Sequence, residues 1–255
     1  MAKPKVGLQL YTLRSLTKDD FLGTIRQVAE IGYEAVEFAG FFGFSAKEVK
    51  AVLNECGLEA PSAHIGINFT DLALMEEELK QHIEYAQELG LQHIVTPWSP
   101  FSEVPTAEEL DERIRFLTRA AELVKDAGMQ YGYHNHAFEF KLVNGETIID
   151  QMLARIPAEL MTMEFDLGWV HKGGKSPAEY IKKYAGRVPL AHIKDFGDGR
   201  DDTEVGNGVV DFKSVFPLAE EAGIQYYIVE QEQFVGSPLD SARTSLQYFR
   251  NNGIL

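Results

Sequence analysis

Apolar residues recur at intervals of three and four in DDFLGTIRQVAEIG, MEEELKQHIEYAQELG and ELDERIRFLTRAAELVKDAG, the period of helices that bury one face. Each of these runs ends at a glycine, and NECGLEAPSAH and EEAGIQYYIVEQ likewise close a helix at a glycine and then open an extended run. Helix therefore alternates with strand along the whole chain. Strands are expected near residues 6–13, 35–40, 60–67, 93–99, 130–136, 160–168, 188–196 and 225–232. Within a strand, residues two apart share a face. One face is mainly apolar: Leu8 and Leu10, Val36 and Phe38, Ala63 and Ile65, Tyr131 and Tyr133, Met163 and Phe165, Ala191 and Ile193, Tyr227 and Val229. The other is polar on every strand: Gln9 and Tyr11, Glu37, Ser62 and His64, Thr96 and Trp98, His134 and His136, Thr162, Glu164 and Asp166, His192 and Lys194, Glu230 and Glu232.

Eight strands interleaved with helices in 255 residues predict a single-domain (β/α)8 TIM barrel over 1–255, since no Gly-rich dinucleotide fingerprint follows the first strand and no low-complexity linker divides the chain. A barrel interior that only needed filling would carry branched aliphatic side chains; buried titratable groups without partners are costly. The polar set therefore predicts a site at the carboxyl ends of the strands.

Composition narrows the partners. With 39 acidic and 24 basic residues the net charge is -15, which repels nucleic acid and anionic membrane surfaces. No apolar run approaches the length of a membrane span, and the amino terminus reaches Arg14 too soon for a signal peptide, so a cytoplasmic location is expected. Cys56 is the single cysteine, set at a helix end, and is read as structural. His82 and His93 are read as solvated positions on the helix side. Phe41, Phe42 and Phe44, after the second strand, would make an unusual exposed patch on a monomer and point to a homodimer.

Carboxylates and imidazoles without a cysteine partner suit one divalent ion of the Mn, Mg, Co or Zn type. Asp166, His192 and Glu230 each stand at or near the end of a separate late strand, and Glu139 follows strand five in YHNHAFEF. Together with GLQLYTLR, GYEAVEF, FDLGWVHKGG, HIKDF, EVGNGVVDF and IVEQE, in this order, that constellation resembles the xylose isomerase-like superfamily, which holds sugar isomerases, tagatose 3-epimerase-like enzymes, inosose dehydratases and endonuclease IV.

The resemblance implies a metal held by Glu139, Asp166, His192 and Glu230, with His134 or His136 as alternatives to Glu139. It also implies proton transfer next to the carbonyl of a small sugar or sugar phosphate through an enediolate, with Glu230 and Glu139 as bases on opposite faces. His134 and His136 are expected to bind hydroxyls or share acid–base duty, and Lys194 to hold a substrate oxygen or an anionic group. Glu37, His64, Trp98 and His171 are expected along the pocket wall. Gly206 and Gly208 are candidate backbone donors to an anion, with Arg14, Lys172, Lys175 and Arg200 in strand-end loops. The runner-up is elimination of water on the same site, as in the inosose dehydratases. A nuclease would need more histidines and a less acidic surface, and a non-catalytic barrel would not be expected to keep this set of ligand types.

Overall fold

The computed structural model describes residues 3–197 and 202–255. Eight parallel strands close into a barrel: β1 Lys5–Gln9, β2 Ala35–Phe38, β3 Glu59–His64, β4 His93–Thr96, β5 Gln130–His134, β6 Met161–Asp166, β7 Leu190–Ile193 and β8 Tyr226–Val229. Neighbours in sequence are neighbours in the sheet, and the ring shuts where Gly7 of β1 stands opposite both Ile228 of β8 and Ala35 of β2. A Cβ on Gly7 would come within 2.8 Å of Ile228 Cδ1 and 3.1 Å of Ala35 O, so a larger residue at that seam would displace the Ile228 side chain. Each strand starts within two residues of its expected place and stops two to four residues sooner than expected. The residues in between leave the sheet to build the loops of the mouth.

The helices form where the 3.6-residue pattern placed them, and local chemistry sets their ends. Ser45 with Glu48 and Thr106 with Glu109 form capping boxes on the helices Ala46–Cys56 and Ala107–Asp126. The helices Phe21–Ile31, Ala46–Cys56 and Leu72–Leu89 stop at glycines in the left-handed region. None of the described helices is long and apolar enough to cross a membrane.

The apolar face of the strands packs against these helices in one large core that includes Leu8, Val36, Phe38, Tyr131, Phe165, Ile193 and Val229. Inside the barrel a second, small cluster of Ala35, Val95, Leu190, Tyr226 and Ile228 fills the base. The polar residues stand above this plug. Strand β4 departs from the expected alternation: Val95 points inward, and Thr96, expected inside, turns to the helix layer, where its hydroxyl meets Tyr131 Oη at 2.5 Å. His93 shares the parity of Val95, so the solvated position expected for it is wrong. It is buried with Nδ1 unpartnered, and burial pushes its pKa down to about 4. His82 is exposed, as expected. The phenylalanines after β2 are less exposed than the sequence suggested, because Phe41 packs on Tyr85 and Phe44 on Phe21; Phe42 is the most exposed of the three.

Candidate metal centre and active site

The ends of β5, β6 and β7 and the residue after β8 bring His134, Asp166, His192 and Glu230 together, and one ligand-capable atom from each lies within 4.8 Å of all the others. Asp166 is fixed by its place in the chain. Its Oδ1 accepts from Trp169 N at 2.8 Å, capping the next helix, and its main chain is clamped by Asn135, whose Oδ1 accepts from Asp166 N at 3.0 Å. Its Oδ2 is buried without a hydrogen-bond partner. An orphaned carboxylate oxygen in the interior is unfavourable unless a cation or proton meets it, and His134 Nε2 stands only 4.0 Å away.

Both histidines have their second nitrogen held from below. His134 Nδ1 lies 3.1 Å from Glu164 Oε2, and His192 Nε2 lies 2.6 Å from Glu37 Oε2, which leaves His192 Nδ1 facing Glu230 Oε2 at 3.2 Å. Glu37 in turn accepts from Ser62 Oγ at 2.6 Å and Gln9 Nε2 at 2.7 Å, while His64 Nε2 bridges to Glu164 at 2.6 Å. Imidazole ligands oriented through the far ring nitrogen by a carboxylate are the usual support of a metal site. His64, His134, Glu164 and His192 also satisfy the same clustering distance. His64 and His134 hydrogen-bond Glu164 at 2.6 and 3.1 Å, and His192 Nε2, bonded to Glu37, lies 3.2 Å from the same Glu164 oxygen, so Glu164 is a support beneath the upper cluster.

Burial would lower His192, but Glu164, Glu37 and Glu230 outweigh it and raise that imidazole well above its ordinary range. Burial, reinforced by Glu230, raises Asp166 to about 7 against the opposing pull of Lys194 and His192. For Glu230 burial acts upward too, but Lys194 and His192 outweigh it and hold the group well below the usual carboxylate range. Burial keeps His134 neutral, its pKa pushed well down, and lowers His136 to about 4; neutral imidazole is the form that ligates. Lys194 is fully buried, 3.4 Å from Glu230 Oε2, hydrogen-bonded to Glu232 and 5.4 Å above the Trp169 ring. Burial would lower its pKa, but Glu230, Asp166, Glu232 and Asp202 overcome that and raise it. Above the cluster opens a pocket of about 360 Å³ whose walls include Tyr11, His64, Trp98, His134, His136 and Glu230. That volume lies within the range of small-molecule sites.

Glu139 does not join this group. It sits on the helix side of β5, buried, with Oε1 accepting from Tyr133 Oη and Oε2 from His136 N, each at 2.8 Å. The fourth corner belongs to His134, one of the two alternatives. The chain leaves β5 at His134 and turns into the short 3-10 segment Phe138–Phe140, which carries Glu139 behind the strand rather than over the barrel mouth.

The xylose isomerase-like TIM barrel family matches residues 25–252. The chain belongs to that family. It is 27% identical to an inosose dehydratase of Geobacillus kaustophilus over 91% of this chain and 86% of that one. A crystal structure of a sugar phosphate isomerase/epimerase from Parabacteroides distasonis superposes with a TM-score of 0.86 at 26% identity, over 100% of this chain and 96% of that one. The IOLI protein, solved with a bound zinc atom, superposes with a TM-score of 0.79 over 97% of each chain at 14% identity, a likeness of fold.

Other expected positions in this family member fall elsewhere. His171 is exposed on the helix Leu167–Lys172 and is not among the pocket walls. Glu37 is fully buried beneath the cluster, so it supports His192 and does not line the wall. The backbone donors of Gly206 and Gly208 are already used by the protein's own carboxylate: Asp195 Oδ2 accepts from both, at 2.9 and 3.1 Å, and Oδ1 accepts from Val210 N and Phe196 N. A Cβ on Gly208 would stand 2.2 Å from Asp195 Oδ1, so the loop is shaped around that carboxylate. Arg14 donates to the carbonyls of Tyr11 and Glu232, Lys172 lies over the Trp169 and Phe196 rings, Lys175 is exposed, and Arg200 lies outside the described residues. Cys56 closes its helix, half-buried, as expected. Asn135 is a site residue that composition did not single out; its signal was its place between the two histidines of HNH.

Proposed function

We propose that the protein is a divalent-metal-dependent enzyme that moves a proton at a carbon next to the carbonyl of a sugar or sugar phosphate, as an isomerase or epimerase. The observation that carries this reading is the orphaned Asp166 Oδ2 inside a cluster of two imidazoles and two carboxylates at the floor of a sugar-sized pocket. The family and the zinc seen in the IOLI protein support it. His134, Asp166, His192 and Glu230 are the residues that would hold the ion. When bound, a divalent cation polarises a carbonyl oxygen and stabilises the negative charge that develops on it.

The chain's own groups supply the rest. Glu230 is held ionised beside Lys194 and lines the pocket, so it is placed to take the proton from carbon. Lys194, bonded to Glu232 and 3.4 Å from Glu230, sets a positive charge beside the base. His136, neutral and on the pocket wall, is placed to exchange a proton with a hydroxyl. Trp98 offers an apolar face to a sugar ring.

One observation favours the second reading, elimination of water as in the inosose dehydratase relative. Strand five contributes an imidazole to the cluster and Glu139 faces away, and the two carboxylates among the described pocket walls, Glu230 and Glu232, come from the same strand end, which speaks against a pair of bases on opposite faces of a substrate. One base with a neighbouring acid suffices for elimination or for transfer between adjacent carbons. The test is metal analysis followed by incubation with ketoses, inososes and their phosphates in deuterated water. One ion per chain with deuterium appearing at carbon beside a carbonyl supports the proposal. Loss of water without an epimer selects the dehydratase, and no metal with no exchange overturns both.

A further inference from the structure

Glu232 follows Glu230 by two residues on the segment after β8, and both are walls of the main pocket. Glu232 is pinned at three points. Its N–H donates to Asp202 Oδ2 at 2.5 Å, its carbonyl accepts from Arg14 Nη2 at 2.6 Å, and its Oε1 accepts from Lys194 Nζ. The side chain nevertheless stays 36% exposed, so a carboxylate held in one place lies open on the wall.

The groups that could receive an anion beside it are already committed. Lys194 is fully buried within 4.0 Å of Glu230, Glu232 and Asp202, three carboxylates to one ammonium. The Arg14 guanidinium donates to the carbonyls of Tyr11 and Glu232, and Gly206 and Gly208 give their N–H groups to Asp195. His64, on the wall, turns Nε2 to Glu164 at 2.6 Å and Glu37 at 3.2 Å. Among the described residues no lysine or arginine lines the pocket. A divalent ion on the cluster would match the charges of Asp166 and Glu230, which leaves Glu232, sharing Lys194 with Asp202, as the charge that an entering molecule meets. For a neutral polyol a fixed carboxylate is a strong acceptor of hydroxyl hydrogens, and Tyr11 and Trp98 offer ring faces to its C–H surface. A phosphate dianion would give up hydration beside a like charge.

We propose that Glu232 determines specificity: the substrate is an uncharged polyhydroxy ketone whose hydroxyls donate to Glu232, and phosphorylated sugars are turned away. This rests on the reading of the pocket as the place of proton transfer beside a carbonyl, and it chooses between the two substrate classes that reading admits.

The test pairs ketohexoses, ketopentoses and inososes each with its monophosphate and reads kcat/KM for carbon-bound deuterium or loss of water, using the metal-loaded protein in deuterated water. At about 0.01 M salt at least one neutral member is expected to react ~10-fold or more better than its phosphate. Raising salt to about 0.15 M shortens the screening length from about 30 Å to about 8 Å and is expected to narrow that gap at least ~3-fold, through a rise for the phosphate. Glu232→Gln, which keeps the shape and one acceptor oxygen, is expected to narrow it likewise at low salt; if that variant does not fold, the salt response decides. A phosphate that reacts as well as its neutral partner, or better, overturns the proposal and leaves the reaction standing. A gap that Glu232→Gln leaves in place assigns the exclusion to other groups and overturns it too. No turnover of any member overturns the reading of the reaction and the proposal with it.

Discussion

His134 Nδ1 lies 3.1 Å from Glu164 Oε2, and this contact turns the opposite nitrogen, Nε2, toward the unpartnered Oδ2 of Asp166. Glu164 also meets His64 through the same oxygen and lies 3.2 Å from His192 Nε2, whose hydrogen bond goes to Glu37, so two buried carboxylates set the attitude of the two cluster imidazoles. Glu164→Gln keeps the shape but gives up an acceptor oxygen and the charge that polarises the rings. It is expected to lower metal affinity about 10- to 100-fold, read by competition with a chromogenic chelator, with the circular dichroism spectrum unchanged. Wild-type affinity would reduce Glu164 to a filler of the barrel.

Glu230 is the carboxylate that both belongs to the cluster and lines the pocket. Glu230→Gln is expected to cut carbon-bound deuterium incorporation by at least ~100-fold, the scale of a lost general base. His64→Ala removes a support from the Glu164 side and is expected to cost less. Exchange at the wild-type rate in Glu230→Gln would exclude Glu230 as the base.

Seven of the eight strands could be oriented from their alternation, because a polar or small residue follows a helix-facing apolar one near each strand's end; in β8, where Ile228 and Val229 stand side by side, it is Glu230 that decides. Strand β4 could not: HIVT holds Ile94 and Val95 side by side, so either parity buries an aliphatic residue, and Trp98, which suggested the wrong one, follows Pro97 beyond the strand. A one-residue slip of this kind exchanges the two faces entirely. The cluster was legible wherever its members lie within strands or one residue past them. Glu139 was not, since periodicity ends with β5 at His134 and says nothing about a 3-10 turn. Glycines alone also misled: the anion served by Gly206 and Gly208 is Asp195, upstream in HIKDF, and no spacing rule pairs them.

The cluster should stabilise the fold when it holds its ion. Four carboxylates, Glu37, Glu164, Asp166 and Glu230, are buried around the imidazoles of His134 and His192, and Asp166 has an oxygen with no hydrogen-bond partner. An ion bound to the folded state only, at 100 times its Kd, adds about 2.7 kcal/mol. Removing metal with a chelator is expected to lower Tm by several degrees, and adding back divalent ions one at a time to restore it in the order of their affinity. Asp166→Asn should abolish that response. A Tm indifferent to chelator in wild-type protein of known metal content would mean that the cluster is an internal ion-pair network.

Glu139 offers a test that separates support from chemistry. Burial raises its pKa from 4.5 to about 7, against the pull of its bonds to Tyr133 and His136. The folded value lies above the unfolded one, so folding takes up a proton between them: the group's favourable contribution is complete below about 4.5 and is lost as pH rises through about 7. At about 1.4 kcal/mol per pH unit the loss amounts to about 3 kcal/mol. Glu139→Gln imitates the protonated acid, accepting from His136 N and donating toward Tyr133 Oη, and cannot titrate. Its stability relative to wild type, measured by urea unfolding at about pH 4.5, 6 and 8, is therefore expected to rise with pH across that window and then level off. Turnover is expected to stay within a few-fold of wild type, because Glu139 touches the backbone of His136 and not the pocket. Parallel stability curves would refute the burial argument, and a collapse of turnover with metal still bound would return Glu139 to the role of base.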